Sequence, residues 1–258
     1  MSDREYSSVD NDEERLKARF AAEKPQSGNG DKADEGDRVA WLPAAPLLYR
    51  VVKRSIDIVL SALMLLLMSP ALLVIAIAIK LSSAGPVILR QERLGYRGKR
   101  FNIIKFRTMR SDYDRRRDHD AHKKFMQGLI SEKYGPPGET PQFKVRFDRR
   151  ITPIGQFLRR TSLDEVPQLL NVLLGDMSLV GPRPPIPYEW AAYQQWHKLR
   201  LSGKPGITGL WQVEGRAKTT FDQMVNLDIG YIEHPSILQD LRILFATPIA
   251  VVRGDKAF

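Results

Sequence analysis

The chain has 258 residues, 27% of them charged and 43% hydrophobic, which allows a substantial core and excludes a wholly disordered protein. It contains no cysteine, which rules out disulfides, cysteine-bound zinc, iron–sulfur clusters and thiol catalysis. The formal charge is +10, yet residues 1–38 hold 11 acids against 7 bases, so the rest is more basic still and calls for anionic company: nucleic acid, an anionic membrane face or phosphorylated substrates.

In chain order, residues 1–40 are rich in Ser, Asp, Glu and Lys and read as a disordered tail. Trp41, Leu42, Pro43 and the Pro46–Tyr49 stretch then place aromatics where a chain approaches a membrane. From Ile58 to Ile79 no residue is charged, a run long enough for a bilayer helix, which needs roughly 20 apolar residues. Residues 47–82 are the membrane element, and the run begins too far into the chain to be a signal peptide. Ser69-Pro70 lies near its middle; the proline removes a donor and predicts a kink or break, and the Ser69 hydroxyl is placed to take up the freed carbonyl. Basic residues flank both ends: Arg50, Lys53 and Arg54 before, Lys80, Arg90, Arg93, Arg97, Lys99 and Arg100 after. A single span favours one side for its bases. Two readings follow, a re-entrant helix-break-helix hairpin that leaves on the face it entered, and a tilted span with a proline kink.

Residues 83–258 read as a cytoplasmic body. Val87–Arg90 and Phe101–Phe106 are predicted strands joined by a turn at Gly95–Gly98. Ser111 to Arg150 is a polar insertion, helical to about Ser131. Ile154–Arg160 starts a helix; Leu163–Leu174 is a second, with Leu163, Val166, Leu169, Leu170, Leu173 and Leu174 on one face and Gly175 at its end. Gly181–Pro187 is an extended loop, Glu189–Leu201 helical, Gly203–Gly209 a loop. Helices at about 219–232 and 236–252 close the chain, the last kinked or shortened by Pro248 and suited to a membrane surface.

Four places carry chemistry. Asp164-Glu165 fall in the first turn of a helix that Thr161 or Ser162 can cap, with Arg159 and Arg160 upstream, which suits a low-pKa nucleophile or a metal ligand. Arg183 stands in Gly181-Pro182-Arg183-Pro184-Pro185, where prolines fix its direction for bidentate phosphate binding. Lys105 and Arg107 share a face by strand alternation and form a candidate anion floor. Gly206, Thr208, Gly209, Gln212 and Arg216 offer close backbone approach, an amide and a cation for a nucleotide. Asp112-Tyr113-Asp114 and the His119, Asp120, His122 group fit metal binding only on paper, and no P-loop or dinucleotide fingerprint occurs.

These pieces in this order resemble the bacterial sugar transferases, the monotopic phosphoglycosyl transferases. The resemblance runs from Lys53-Arg54-Ser55-Ile56-Asp57 through Ser69-Pro70, Lys105–Met109, Ser162–Gln168 and Gly175–Pro184 to Lys204–Gly209, about three quarters of the chain. It is similar to short forms that start exopolysaccharide repeat units. The resemblance implies an α+β fold on a re-entrant membrane hairpin, with amphipathic helices at the interface. It implies transfer of sugar 1-phosphate from a UDP-sugar, glucose or galactose, to undecaprenyl phosphate, releasing UMP with Mg2+ through a covalent intermediate. Carried over residue by residue, Asp164 is the nucleophile and metal contact, Glu165 assists it, and Arg159, Arg183, Lys105 and Arg107 hold phosphate. The bacterial inner membrane, its anionic lipids and possible homo-oligomers belong to the same expectation; nucleic acid does not. The long 111–147 insertion and Glu214, where Asn or Ser is expected, depart from the pattern. An Asp-X-Asp glycosyltransferase releasing UDP and a non-enzymatic membrane adaptor are the competing readings.

Overall fold

A computed structural model describes residues 39–110, 151–214 and 220–252. The 1–38 tail, the Ser111–Arg150 insertion with Asp112, Asp114, His119, Asp120 and His122, and Arg216 lie outside the described residues.

Helix α1 (Leu47–Ser82) is the apolar segment, and it is assigned without interruption through Pro70. The break expected at Ser69-Pro70 is therefore no gap in the helix. Pro70 cannot donate to the carbonyl four residues back, that of Leu66, and the Ser69 hydroxyl donates to that same carbonyl at 2.8 Å. Leu63, Leu66, Leu67, Leu73, Val74 and Ile77 are exposed around the middle of α1. Exposing a large aliphatic side chain to water costs about 1.5–3 kcal/mol, so this stretch is built for lipid.

Both ends of α1 are fastened to the body. Near its start, Tyr49 and Lys53 reach Asp240 at 3.0 Å each. Arg54 donates to the carbonyls of Val172 and Leu173. The buried Asp57 accepts from the Leu179 amide at 2.9 Å and the Ser178 hydroxyl at 3.1 Å. Lys53-Arg54-Ser55-Ile56-Asp57 is thus the joint between membrane helix and body. Near the other end, Ile75 and Ile79 pack with Phe106 and Leu158.

Strands β1 (Ile88–Leu94) and β2 (Arg100–Phe106) form an antiparallel pair, Ile88 opposite Phe106 and Leu94 opposite Arg100. Their turn is a 3-10 step, Tyr96–Gly98, with positive φ at Arg97 and Gly98. Period two sends Phe101, Ile103 and Lys105 to one face of β2. Helix α2 (Pro153–Thr161) is capped by Thr152, whose hydroxyl accepts from the Gly155 amide. Gly155 sits directly under the Thr108 carbonyl, where a Cβ would lie 2.0 Å away, so only glycine lets α2 seat on the exit of β2.

The next segment differs from the sequence reading. Leu163–Gln168 is a 3-10 turn, and only Leu169–Leu174 (α3) is α-helical, closed by Gly175 at φ 90°. Leu170 and Leu174 are exposed, while Gln168, Leu169, Asn171 and Val172 are buried, so the six-leucine-type stripe is not one face. A 3-10 start shifts the phase of everything after it. Strand β3 (Ser178–Val180) then pairs in parallel with β4 (Gly206–Thr208), Ser178 opposite Gly206 and Val180 opposite Thr208. Sequence reading gave β4 as loop; three residues of Gly-Ile-Thr carry no strand pattern. The crossover holds α4 (Pro187–Ala192), α5 (Gln195–Lys198) and a 3-10 turn at Leu199–Ser202, three pieces where one helix was expected. Helices α6 (Leu210–Glu214), α7 (Phe221–Glu233) and α8 (Ile237–Val252) follow, and α8 continues past Pro248. The main core joins Phe101, Ile103, Leu169, Val172, Met177, Leu179, Val180, Tyr231 and Ile243.

Candidate active site

A cleft opens where β2, the 3-10 turn, the loop after β3 and the start of β4 meet. Arg93, Lys105, Glu165, Gln168, Arg183, Gly206 and Gln212 line it. Five of these are sequence-predicted site residues brought together from far apart in the chain.

Ser162 turns the chain into the segment that carries Asp164 and Glu165. Its φ of 57° is left-handed, a conformation that costs a serine roughly 1–2 kcal/mol, and it ends α2 while turning the chain into the 3-10 step. Neither expected cap forms: the Thr161 hydroxyl donates to the Phe157 carbonyl, and Ser162 makes no side-chain cap bond. Asp164 and Glu165 therefore do not draw on an α-helix N-terminus.

The two carboxylates are in opposite electrostatic states. Burial, and then the neighbouring Glu165 charge, raise the Asp164 pKa to about 6, against the pull of Lys105 and Arg159. The expected low-pKa Asp164 is thus corrected, because a pair of adjacent carboxylates leaving water cannot both be easy to ionise. Burial also pushes Glu165 up, but Lys105 and Arg183 outweigh it and hold it below the usual range. Lys105 Nζ lies 2.6 Å from Glu165 Oε1. Arg159 is steered by a bond from its Nε to Thr108 Oγ1 at 2.9 Å.

Arg183 is held by its loop at both ends. The Pro182 carbonyl accepts from the Gly206 amide at 2.9 Å, and the Pro185 carbonyl from the Leu94 amide at 3.0 Å.

Other candidates are placed elsewhere. Arg107 is not in the floor. The strand ends at Phe106, and the buried Arg107 guanidinium turns to the C-terminal end of α1, donating to the carbonyls of Ala84, Ser83 and Ile79. Thr208 is buried with its hydroxyl bonded to that of Thr247 at 2.8 Å. Gly206 and Gly209 are required by the chain crossing at Gly181: an added Cβ would lie 2.1 Å from the Gly181 amide nitrogen and 2.4 Å from its carbonyl oxygen, respectively. Gln212 does line the cleft, and its amide donates to the Ile207 carbonyl.

Sequence reasoning missed two lining residues. Arg93 is 7% exposed and Gln168 2%, each with a buried side-chain nitrogen that has no partner among the described residues. By sequence Arg93 stands only among the basic flanks of α1, and no local pattern separates it from Arg90 or Arg97.

The family model for bacterial sugar transferases matches residues 48–254, from the first turns of α1 through the end of α8. The chain belongs to the bacterial sugar transferase family. Relatives within this wider group include the undecaprenyl-phosphate galactose phosphotransferase of Salmonella typhimurium, 38% identical over 81% of this chain and 42% of that protein. The UDP-glucose:undecaprenyl-phosphate glucose-1-phosphate transferase of Escherichia coli is 42% identical over 80% of this chain and 43% of its own length. The exopolysaccharide production protein ExoY of Rhizobium meliloti is 37% identical over 78% of this chain and 85% of its own length. The chain spans less than half the length of several of the curated relatives it matches. For this sugar transferase, the matched region takes in membrane helix and body together, as the joint at Lys53–Asp57 requires.

Proposed function

We propose that this protein transfers sugar 1-phosphate from a UDP-sugar to undecaprenyl phosphate and releases UMP, opening exopolysaccharide or related glycoconjugate synthesis. The observation that carries the reading is the carboxylate pair: Glu165, ionised, lines the cleft with Lys105 and Arg183, and the adjacent Asp164, its pKa raised, feels Lys105 and Arg159. A diphosphate needs such cations, and a desolvated carboxylate is the stronger nucleophile. The names of the relatives favour glucose or galactose as the sugar.

In the first displacement an Asp164 carboxylate oxygen attacks the sugar-bearing phosphorus. The bond from that phosphorus to the bridging oxygen breaks, and its electron pair leaves with UMP. In the second, an oxygen of the lipid phosphate attacks the same phosphorus and breaks its bond to Asp164, restoring the carboxylate. Arg183 and Lys105 hold the non-bridging oxygens as charge builds. Glu165, kept ionised by Lys105, holds that lysine in place. Splitting the transfer means two bulky substrates need not be bound together.

Magnesium fits this site as a shared ion. Among the described residues no three His, Cys, Asp or Glu side chains gather to hold a metal, but Mg2+ commonly takes one carboxylate, here Asp164, with water and substrate phosphates. When bound, it supplies charge neutralisation for the diphosphate.

We also read α1 as re-entrant, with the body on the cytoplasmic face of the inner membrane. A straight span carries its ends to opposite sides of the bilayer, whereas Tyr49–Asp57 and Ile75–Ile79 both pack on one body. Bases flank both ends. With no native cysteine, single cysteines at Ala44 and Arg90 test this: a membrane-impermeant maleimide should label neither in intact cells and both after lysis. Labelling of the Ala44 site alone in intact cells refutes it. The activity is tested with purified protein, undecaprenyl phosphate and a panel of UDP-sugars, measuring UMP against UDP. UMP release dependent on the lipid phosphate is expected; UDP release refutes the reaction.

A further inference from the structure

The cleft's most buried cation is one the proposed reaction has not used. Arg93 lies at the end of β1, 7% exposed, and its guanidinium spreads over the loop that carries Arg183. Nη1 donates to the Pro184 carbonyl at 3.2 Å and Nη2 to Gln91 Oε1 at 3.0 Å. The next residue continues the same grip, the Leu94 amide donating to the Pro185 carbonyl. On the other side, the Gly206 amide holds the Pro182 carbonyl. Arg183 thus stands between a carbonyl fixed by β4 and two fixed by β1.

We propose that Arg93 is the positioning residue for Arg183, fixing through the Pro184 carbonyl the direction in which Arg183 meets the donor diphosphate, and that its own charge adds to the cationic lining. The inference rests on the proposed function and deepens it. Prolines alone restrict φ but leave the loop able to pivot as a unit; three backbone carbonyls pinned from two strands remove that freedom.

The charge pattern agrees. Arg93, Lys105 and Arg183 line one cleft with Glu165 as the carboxylate among the lining residues. Burial, followed by Arg183, lowers the Arg93 pKa to about 10, against the pull of Glu189. Arg183 also pulls Lys105 down, and cations crowded in a buried cleft are in a costly arrangement that an incoming polyanion relieves. Arg93 Nε, buried without a partner among the described residues, is a further donor in the same wall. One arm of the guanidinium is on the carbonyl adjacent to Arg183, and Gln91 holds the other arm.

The test is a double-mutant cycle on kcat/KM for lipid-dependent UMP release, with Arg93→Lys, Arg183→Lys and the pair. Arg93→Lys keeps the charge and loses the fork. Each single change should lower kcat/KM about ten-fold or more, and the pair should be little worse than the poorer single, since both act through one guanidinium. Gln91→Leu frees the second arm of Arg93 without entering the cleft. It should cost several-fold in the parent and almost nothing in the Arg183→Lys background, and it carries the test if Arg93→Lys does not fold. Losses that multiply in the pair, or a silent Arg93→Lys beside a sensitive Arg183→Lys, overturn the positioning role alone. A silent Arg183→Lys overturns it together with the proposed phosphate clamp.

Discussion

Asp164 is held in a state that works against stability, and its replacement measures by how much. Its pKa rises from 3.8 to about 6 on folding, roughly two units. Each unit is worth about 1.4 kcal/mol, so the ionised form makes the native state less stable by up to about 3 kcal/mol at neutral pH. The sign follows from proton binding: between pH 4 and 6 the folded protein holds a proton there that the unfolded chain has lost, so stability falls as pH rises through that window. Below pH 4 both states are protonated and the penalty vanishes. Asp164→Asn has the shape of the protonated acid and nothing to titrate. It should unfold several degrees above the parent at pH 7.5, at roughly 2–4 °C per kcal/mol for a chain of this size, and match it at low pH. Tryptophan fluorescence melts in detergent, run at matched scan rates from pH 4.5 to 7.5, give the comparison. The same variant should release no UMP, and kcat/KM of the parent should fall ten-fold per pH unit below about 6, where the nucleophile is protonated. An Asn variant less stable than the parent at pH 7.5, or a gap that does not widen with pH, refutes the desolvated-carboxylate account; comparable turnover refutes the nucleophile.

Three further outcomes can be checked. Arg183→Lys should lose ten-fold or more of kcat/KM, about 1.4 kcal/mol of transition-state stabilisation, because a point charge does not replace a fork; full activity would make Arg183 a solvated loop residue. Arg107→Lys should lower the melting temperature by several degrees, from about 1.5–3 kcal/mol of bonds to the end of α1, with KM for the UDP-sugar unchanged; a raised KM with normal stability would return Arg107 to the phosphate floor. Gly206→Ala should fail to accumulate as folded protein, since its Cβ has no room beside Gly181; a folded variant with weaker nucleotide affinity would mean the glycine serves the ligand.

Local pattern determined a good deal. Twenty-two uncharged residues are long and apolar enough for a membrane helix, and the pairing of Ser69 with the carbonyl freed by Pro70 is decided within four residues of chain. The β1–β2 hairpin and the Gly175 helix stop were legible for the same reason, since alternation and positive φ are properties of neighbouring residues, but the pattern gave the first strand only to Arg90, whereas it runs to Leu94. The motif residues Asp164, Glu165, Lys105 and Arg183 were legible as chemistry, but their states were not. Whether Asp164 sits high or low depends on burial and on charges from β2 and α2, which approach only when the chain folds. Lys105 and Arg107 show the boundary most clearly. Alternation sends both to one side, yet the strand ends between them, so one meets Glu165 and the other the end of α1. Arg93 carries no local mark at all; its burial comes from a loop some ninety residues later folding across it. A sequence fixes what each side chain can do, while the partner it meets is a long-range contact, and that contact settles its direction, its protonation and its role.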